Sequence, residues 1–160
     1  STGKKFKTNL SVIKSVIKSN QNRSNLLLNR VYKIFKNKIK NKKICFLGVT
    51  FKANTDDMRD SSSLIMIPAL SKKGALIKYY DPTGFKNEFK QLKNVSYENT
   101  IKKSLEGADL VIIHTEWNEF KSINFKNLVK RKKFSIFDMR NIYLPNKIKD
   151  QGFKYISVGR

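Results

Sequence analysis

The sequence predicts an α/β protein: a doubly wound parallel sheet of about six strands preceded by a long helix. Three observations carry that expectation. From residue 43 onward, short apolar runs alternate with polar segments of helix length. The strongest of these runs are near-continuous in apolar residues, as strands covered on both faces require. Ahead of them lies a proline-free stretch whose Leu, Val and Ile residues recur at helical spacing.

Leu10, Val12, Ile13, Val16 and Ile17, then Leu26, Leu27, Leu28, Val31, Ile34 and Phe35, describe one helix, or two with a break at 20–25. Its broad apolar face must pack on the sheet, on another subunit or on a further domain. A basic linker at 38–43 leads into strands expected at 44–49, 76–80, 110–114, 134–137 and 155–158, with 95–97 a short sixth. Between them, helices are expected at 62–73, 85–92, 100–106, 124–130 and 146–151. Asp60 or Ser61 is the candidate N-cap of the first, whose amide end favours negative charge, and Gly74 is its candidate C-cap. Pro68 falls inside that helix, where it removes a backbone donor and should kink the axis.

At 160 residues with 39% hydrophobic content, one sizeable core can form. No apolar run approaches the roughly 18 residues of a membrane span and no signal-peptide pattern opens the chain, so a soluble, intracellular, cytoplasmic protein without membrane contact is expected. Cys45, the single cysteine, lies in the first strand, which leaves no disulfide or cysteine-rich metal site and favours a reduced core thiol. The formal charge of +22 suggests nucleic acid. The lysines are spread through every segment, however, and accompany Asn, Ile, Phe and Tyr, the residues that A/T-rich codons supply. Codon bias accounts for the charge, and nucleic-acid binding stands as the alternative to a nucleotide-binding role.

In a doubly wound sheet, ligands bind beyond the carboxyl ends of the strands where strand order reverses, here between the first and fourth strands. That places Thr50, Phe51, Lys52 and Arg59 of one loop beside Thr115, Glu116 and Trp117 of another. The dinucleotide fingerprint G-x-G-x-x-G is absent, because Gly48 stands alone with Thr50 and Ala53 where further glycines belong. A Rossmann-like sheet turned to another ligand, or to a second domain, is the reading that follows.

Lys52 stands two residues past the strand, within reach of a phosphate or sugar oxygen, with Phe51 to shield the contact; alone it would pass for a solvated lysine. Arg59 is flanked by Asp56, Asp57 and Asp60, which either clasp it structurally or hold its fork toward a ligand phosphate. Asp81 stands where a ribose-binding acid would, although Pro82 makes a turn the better explanation. His114, the single histidine, reads as a strand-end packing or hydrogen-bonding residue, and Trp117 and Phe120 as core anchors. Asp138 and Arg140 share the same sheet edge and either extend an anion site or form a local ion pair.

Residues 51–61 resemble the most specific C-terminal motif of the UDP-glucose dehydrogenase family. Tyr80-Asp-Pro82, the stretch from His114 through Trp117 to Phe120, the ending Val158-Gly-Arg160 and the helix segment 15–21 resemble that family as well. The resemblance implies that residues 1–40 are the end of a central dimerisation helix and 41–160 a nucleotide-sugar-binding, Rossmann-like domain. It implies UDP-sugar contacts for Phe51 and Lys52, an NAD contact for Arg59, and a homodimer built through the helix; Arg140, from its place at the same sheet edge, is taken as a third substrate-binding residue. It also implies that NAD is held mainly by an N-terminal domain outside this sequence, as is the catalytic cysteine, which Cys45 does not match. No catalytic residue and no metal ligand is therefore expected here, and the chain alone should be inactive. UDP-glucose is the favoured sugar nucleotide, with UDP-N-acetylmannosamine or GDP-mannose as alternatives.

Overall fold

The computed structural model describes residues 11–129 and 134–159, with side chains from residue 22 onward. Leu10, Lys130, Arg160 and the side chains of 15–21 lie outside that description. Of the two alternatives, one helix or two with a break at 20–25, a single helix is found, α1 (Ser11–Ile34). It precedes six strands, β1 (Lys43–Leu47), β2 (Leu76–Tyr80), β3 (Val95–Tyr97), β4 (Leu110–Ile113), β5 (Ser135–Asp138) and β6 (Lys154–Ser157). All adjacent pairs are parallel and the order is β3-β2-β1-β4-β5-β6, so the direction of winding reverses between β1 and β4 as expected.

The helices between strands are α2 (Ser63–Lys72), α3 (Ile101–Leu105), α4 (Asn118–Lys121), α5 (Phe125–Leu128) and α6 (Pro145–Asp150). α2 continues through Pro68 and ends as expected at Gly74, whose φ of +82° lets the Gly74 and Ala75 amides reach the Ser71 and Leu70 carbonyls at 2.8 and 3.1 Å. Its start differs from expectation. Neither Asp60 nor Ser61 caps it; Ser62 occupies the cap position in α conformation with no side-chain cap bond, and the Ser61 hydroxyl donates instead to Val49 O at 2.7 Å. The helix expected at 85–92 shrinks to a 3-10 turn, Asn87–Phe89. Lys86 is extended there because its amide is captured by the buried Tyr79 hydroxyl at 2.8 Å.

Every strand except β3 divides its side chains between two cores. Ile44, Phe46, Ile77 and Tyr79 pack with Met66, Ile67 and Leu70 of α2 and with Leu27, Leu28 and Val31 of α1. Cys45, Leu47, Val111 and Ile113 pack on the other face against Leu105, Phe120, Phe125 and Ile148. Burial pushes the Cys45 thiol up to about 12, so it is protonated at neutral pH, in keeping with a core cysteine. The carboxyl half of α1 is therefore part of the sheet domain's own core. Burying Leu27, Leu28 and Val31 contributes about 1.5–3 kcal/mol each, and Arg30 Nη1 donates to Ser157 O of β6 at 3.2 Å. No described helix is long and apolar enough to cross a membrane.

Candidate functional site

The crevice forms where the loops after β1, β4 and β5 meet. Gly48 permits that meeting. Its φ is +76°, and a Cβ on it would lie 2.5 Å from the Cβ of Thr115, so only glycine lets the β1 turn lie against the β4 loop. Thr115 Oγ1 then donates to Thr50 O at 2.8 Å. Because that proton is committed, Thr115 Oγ1 accepts from His114 Nδ1 at 3.1 Å, which leaves His114 Nε2 to accept from Ser62 Oγ at 2.8 Å. Burial, aided by the charge of Arg140, pushes His114 down to about 3, so the ring is neutral and both nitrogens are occupied. His114 is the hydrogen-bonding residue that its strand-end position suggested.

Two buried carboxylates brace the loops from beneath. Asp81 Oδ2 accepts the amides of Val49 and Thr50 at 2.8 and 3.3 Å. Its Oδ1 accepts the Thr83 amide at 3.0 Å and the Thr83 hydroxyl at 2.5 Å, with buried Lys86 Nζ 3.9 Å away. Asp138 accepts the amides of Arg140 and Tyr143 at 2.9 and 3.1 Å and the Tyr155 hydroxyl at 2.8 Å. Asp138 thus meets the backbone of Arg140, not its guanidinium, and the local ion pair weighed from sequence is not the one formed. That guanidinium reaches across the crevice: Nε donates to His114 O at 2.7 Å, Nη2 donates to Phe51 O at 2.9 Å, and Glu116 Oε2 lies 3.1 Å from Nε.

The rim contrasts with this base. Phe51 is 44% exposed and Lys52 is exposed beside it. The Arg59 side chain is 88% exposed and forms a two-point pair with Asp57, Nε and Nη2 donating at 3.0 and 2.9 Å. Those bonds hold the Asp57 carboxyl down to about 2, while Asp60 acts on Arg59 through charge alone. Of the three carboxylates flanking Arg59, one makes the clasp.

A crevice of about 240 Å³ lies between α1 and these loops, with Phe51, Asp60, Ser62, Met139 and Arg140 on one side and Arg23, Ser24 and Leu27 on the other. Two of the expected site residues, Phe51 and Arg140, line it, whereas Lys52 and Arg59 stand outside its lining. Arg23 and Met139 were not legible as site residues. Arg23 sits on a helix face that sequence periodicity describes only as polar, and it meets the crevice through the packing of α1. Trp117 and Phe120 are buried in the second core, Phe120 at the centre of the four-residue α4, too short to show helical periodicity.

A family profile, the UDP binding domain of the UDP-glucose/GDP-mannose dehydrogenase family, matches residues 45–145. The UDP-glucose 6-dehydrogenase of Rickettsia felis is 36% identical over 151 residues, which are 92% of this chain and 34% of that protein. The Rhizobium meliloti protein of the same name is 34% identical over 99% of this chain and 37% of its own length. The chain thus spans about a third of the length of the curated relatives it matches. Among solved structures, a UDP-glucose dehydrogenase from Pyrobaculum islandicum shares the fold with a TM-score of 0.73 at 21% identity, over 99% of this chain and 34% of that one. The UDP-D-ManNAc dehydrogenase of Pyrococcus horikoshii aligns with a TM-score of 0.64 at 28% identity, over 86% of this chain and 30% of that one.

Proposed function

The chain belongs to the UDP-glucose/GDP-mannose dehydrogenase family, as its UDP binding domain, and on that premise we propose that it is the sugar-nucleotide-holding part of an NAD-dependent UDP-glucose 6-dehydrogenase. The whole reaction would carry UDP-glucose to UDP-glucuronate in two oxidations, feeding polysaccharide synthesis in the cytoplasm. The observation that carries the reading is the presentation of Phe51 and Lys52, exposed at the carboxyl end of a central strand on a loop whose base is buried and hydrogen-bonded. An ammonium there supplies a point charge for a diphosphate, and Phe51 lowers the local dielectric around it. Arg140, whose fork joins the β1 and β4 loops, completes the substrate-binding set. UDP-glucose is favoured over other sugar nucleotides because the relatives at 34–36% identity carry that name.

NAD does not fit this sheet as a cradle: the turn after β1 has one glycine, and its amides at 49, 50 and 51 are spent on Asp81 and on Asp57 O. What the chain offers that cofactor is the exposed Arg59, aimed at an N-terminal NAD-binding domain of the same protein. In the complete enzyme NAD supplies the hydride acceptor, while the residues here bind and orient the sugar nucleotide. We further propose that residues 1–40 close a central helix through which two copies pair, and that 41–160 form the nucleotide-sugar domain. Leu26, 66% exposed on the same helix that buries Leu27 and Leu28, supports an outer face awaiting a partner.

Calorimetric titration of this chain with UDP at physiological salt tests the reading. Binding should be weak, because one or two charged contacts do not make a full pocket. Lys52→Ala should weaken it about tenfold, while Lys72→Ala on α2 leaves it unchanged. Single-stranded RNA should bind, if at all, with an affinity that collapses as salt rises. Tight, salt-resistant RNA binding without UDP binding would replace this reading with a nucleic-acid module. Incubated with UDP-glucose and NAD, the chain alone should yield no NADH.

A further inference from the structure

We propose that Asp81 is a positioning residue that sets ligand specificity: its carboxylate occupies, from inside the fold, the backbone amides that the turn after β1 would otherwise present to a ligand anion. The inference rests on the nucleotide-sugar reading of the crevice for its ligand, though not for its geometry. In sheets of this winding, the turn after the first strand and the start of the following helix normally grip a pyrophosphate through main-chain N–H groups, and the acid ending the second strand takes a ribose. Here both functions are turned inward. Asp81 Oδ2 takes Val49 N at 2.8 Å and Thr50 N at 3.3 Å, and Phe51 N donates to Asp57 O at 2.9 Å. At the start of α2, Ser63 N contacts Ser61 Oγ at 3.3 Å, and Leu64 N and Ile65 N donate to the Ser61 and Ser62 carbonyls at 3.1 Å each.

Asp81 has nothing left for a ribose either. It is fully buried, its other oxygen is taken by Thr83, and Thr83 Oγ1 in turn accepts from Lys86 Nζ at 2.5 Å, which balances the charge within the fold. The amides at 49–51 are therefore closed to a dinucleotide pyrophosphate, and Lys52, exposed just beyond them, is the charge offered to an incoming anion. That selects a nucleoside diphosphate gripped by cations over a dinucleotide gripped by amides. The same two bonds fix where residues 50–53 emerge, so Asp81 positions Phe51 and Lys52 without touching the ligand.

Asp81→Asn keeps the shape and removes the charge, and nitrogen-15 NMR of this chain reads the consequence in three ways. Without ligand, the heteronuclear NOE of residues 50–53 should fall while that of 113–117 holds. Inorganic pyrophosphate should shift the Val49 and Thr50 amides in the variant and leave them unmoved in the wild type. The UDP dissociation constant should rise about tenfold, the usual scale for losing a charge-assisted contact through its support. If Asp81→Asn does not fold, Thr83→Val releases only the other oxygen of the same carboxylate: the loop NOE should fall by less, and the Val49 and Thr50 amides, still held by Oδ2, should stay closed to pyrophosphate. A lower melting temperature with wild-type loop NOE, pyrophosphate response and UDP affinity would reduce Asp81 to a structural brace and overturn the proposal. A wild-type chain that binds no UDP would overturn the ligand reading instead, and the loop and pyrophosphate measurements would still decide the role of Asp81.

Discussion

The base and the rim of the crevice are built on opposite terms. At the base, Gly48, Thr50, Asp81, His114, Thr115 and Asp138 are removed from solvent or held by close approach, and the polar side chains among them have their hydrogen-bonding atoms occupied by the fold. At the rim, Phe51, Lys52 and Arg59 are exposed, and the bonds Arg59 makes are with a neighbour two residues away. The difference teaches that residues equally close to the strand ends serve separate purposes. Buried polar bonds at the base specify where the loop goes, since leaving any of them unmade costs about 1–3 kcal/mol. The rim makes few bonds to the rest of the fold, and its charges are exposed to solvent. Substitutions at the base should therefore move stability, and those at the rim should move affinity.

The largest expected effect lies at Gly48. Gly48→Ala combines a left-handed φ of +76° with a Cβ 2.5 Å from Thr115 Cβ, so β1 and β4 loops must separate. The cost should be about 3–5 kcal/mol, a fall of about 10 °C in melting temperature for a chain of this size. Gly84→Ala is the control that separates strain from collision. Gly84 has a similar φ of +85° but nothing within 4 Å of an added Cβ, so it should lose only about 1 kcal/mol. Equal losses at the two positions would break the contrast between base and open loop.

Much of this base was not legible in the sequence, for a physical reason. The strands were read to within two residues of their observed ends because a run buried on both faces shows its apolarity directly. The reversal between β1 and β4 was expected from the usual winding of such sheets, and the strand order shows it. The bonds that shape the crevice join residues far apart in the chain: Thr50 to Asp81 across 31 positions, Thr50 to Thr115 across 65 and Phe51 to Arg140 across 89. No local spacing encodes such pairs. Asp81 illustrates the point, because the Asp-Pro turn reading captures its bonds to Thr83 and is blind to its hold on Val49 and Thr50. Arg140 was legible as a residue at the right edge, and its role as a strap between loops was not. Short elements fail for a related reason: a single turn such as α4 repeats too few residues to show a period.

His114 sharpens the same comparison through pH. Its ring is held near pKa 3 by burial against an ordinary 6.5, so the unfolded chain binds a proton over the interval between those values while the folded chain does not. The folded-state contribution is intact above about 6.5 and is lost progressively as pH falls toward about 3, by on the order of a few kcal/mol in full. The melting temperature of the wild type should fall across this window. His114→Asn removes the titrating group and keeps donor and acceptor, so it should start lower at neutral pH and decline less steeply. Parallel declines would mean that other groups carry the acid sensitivity and that His114 is not the buried neutral base-layer residue described here.

The smallest expected change in stability lies at Arg59, and there it is the asymmetry of effects that decides. Its side chain is 88% exposed and its pair with Asp57 is open to solvent, where screening and side-chain entropy leave such contacts little net worth. Arg59→Ala should therefore leave the melting temperature of this chain within about 2 °C of wild type. The Asp57 carboxyl is held down to about 2, so the clasp persists at every pH above its ordinary 3.8 and loosens only as pH falls toward about 2. At neutral pH the pair is thus charged on both sides, and Nη1 of Arg59 is left outside it. In the complete enzyme, Arg59→Ala should raise the Michaelis constant for NAD by several-fold more than that for UDP-glucose. Asp57→Asn, which releases the arginine without removing its charge, should produce a weaker version of the same shift. A large stability loss with unchanged Michaelis constants would move Arg59 from the rim to the base, and the division between the two regions would then end at Lys52.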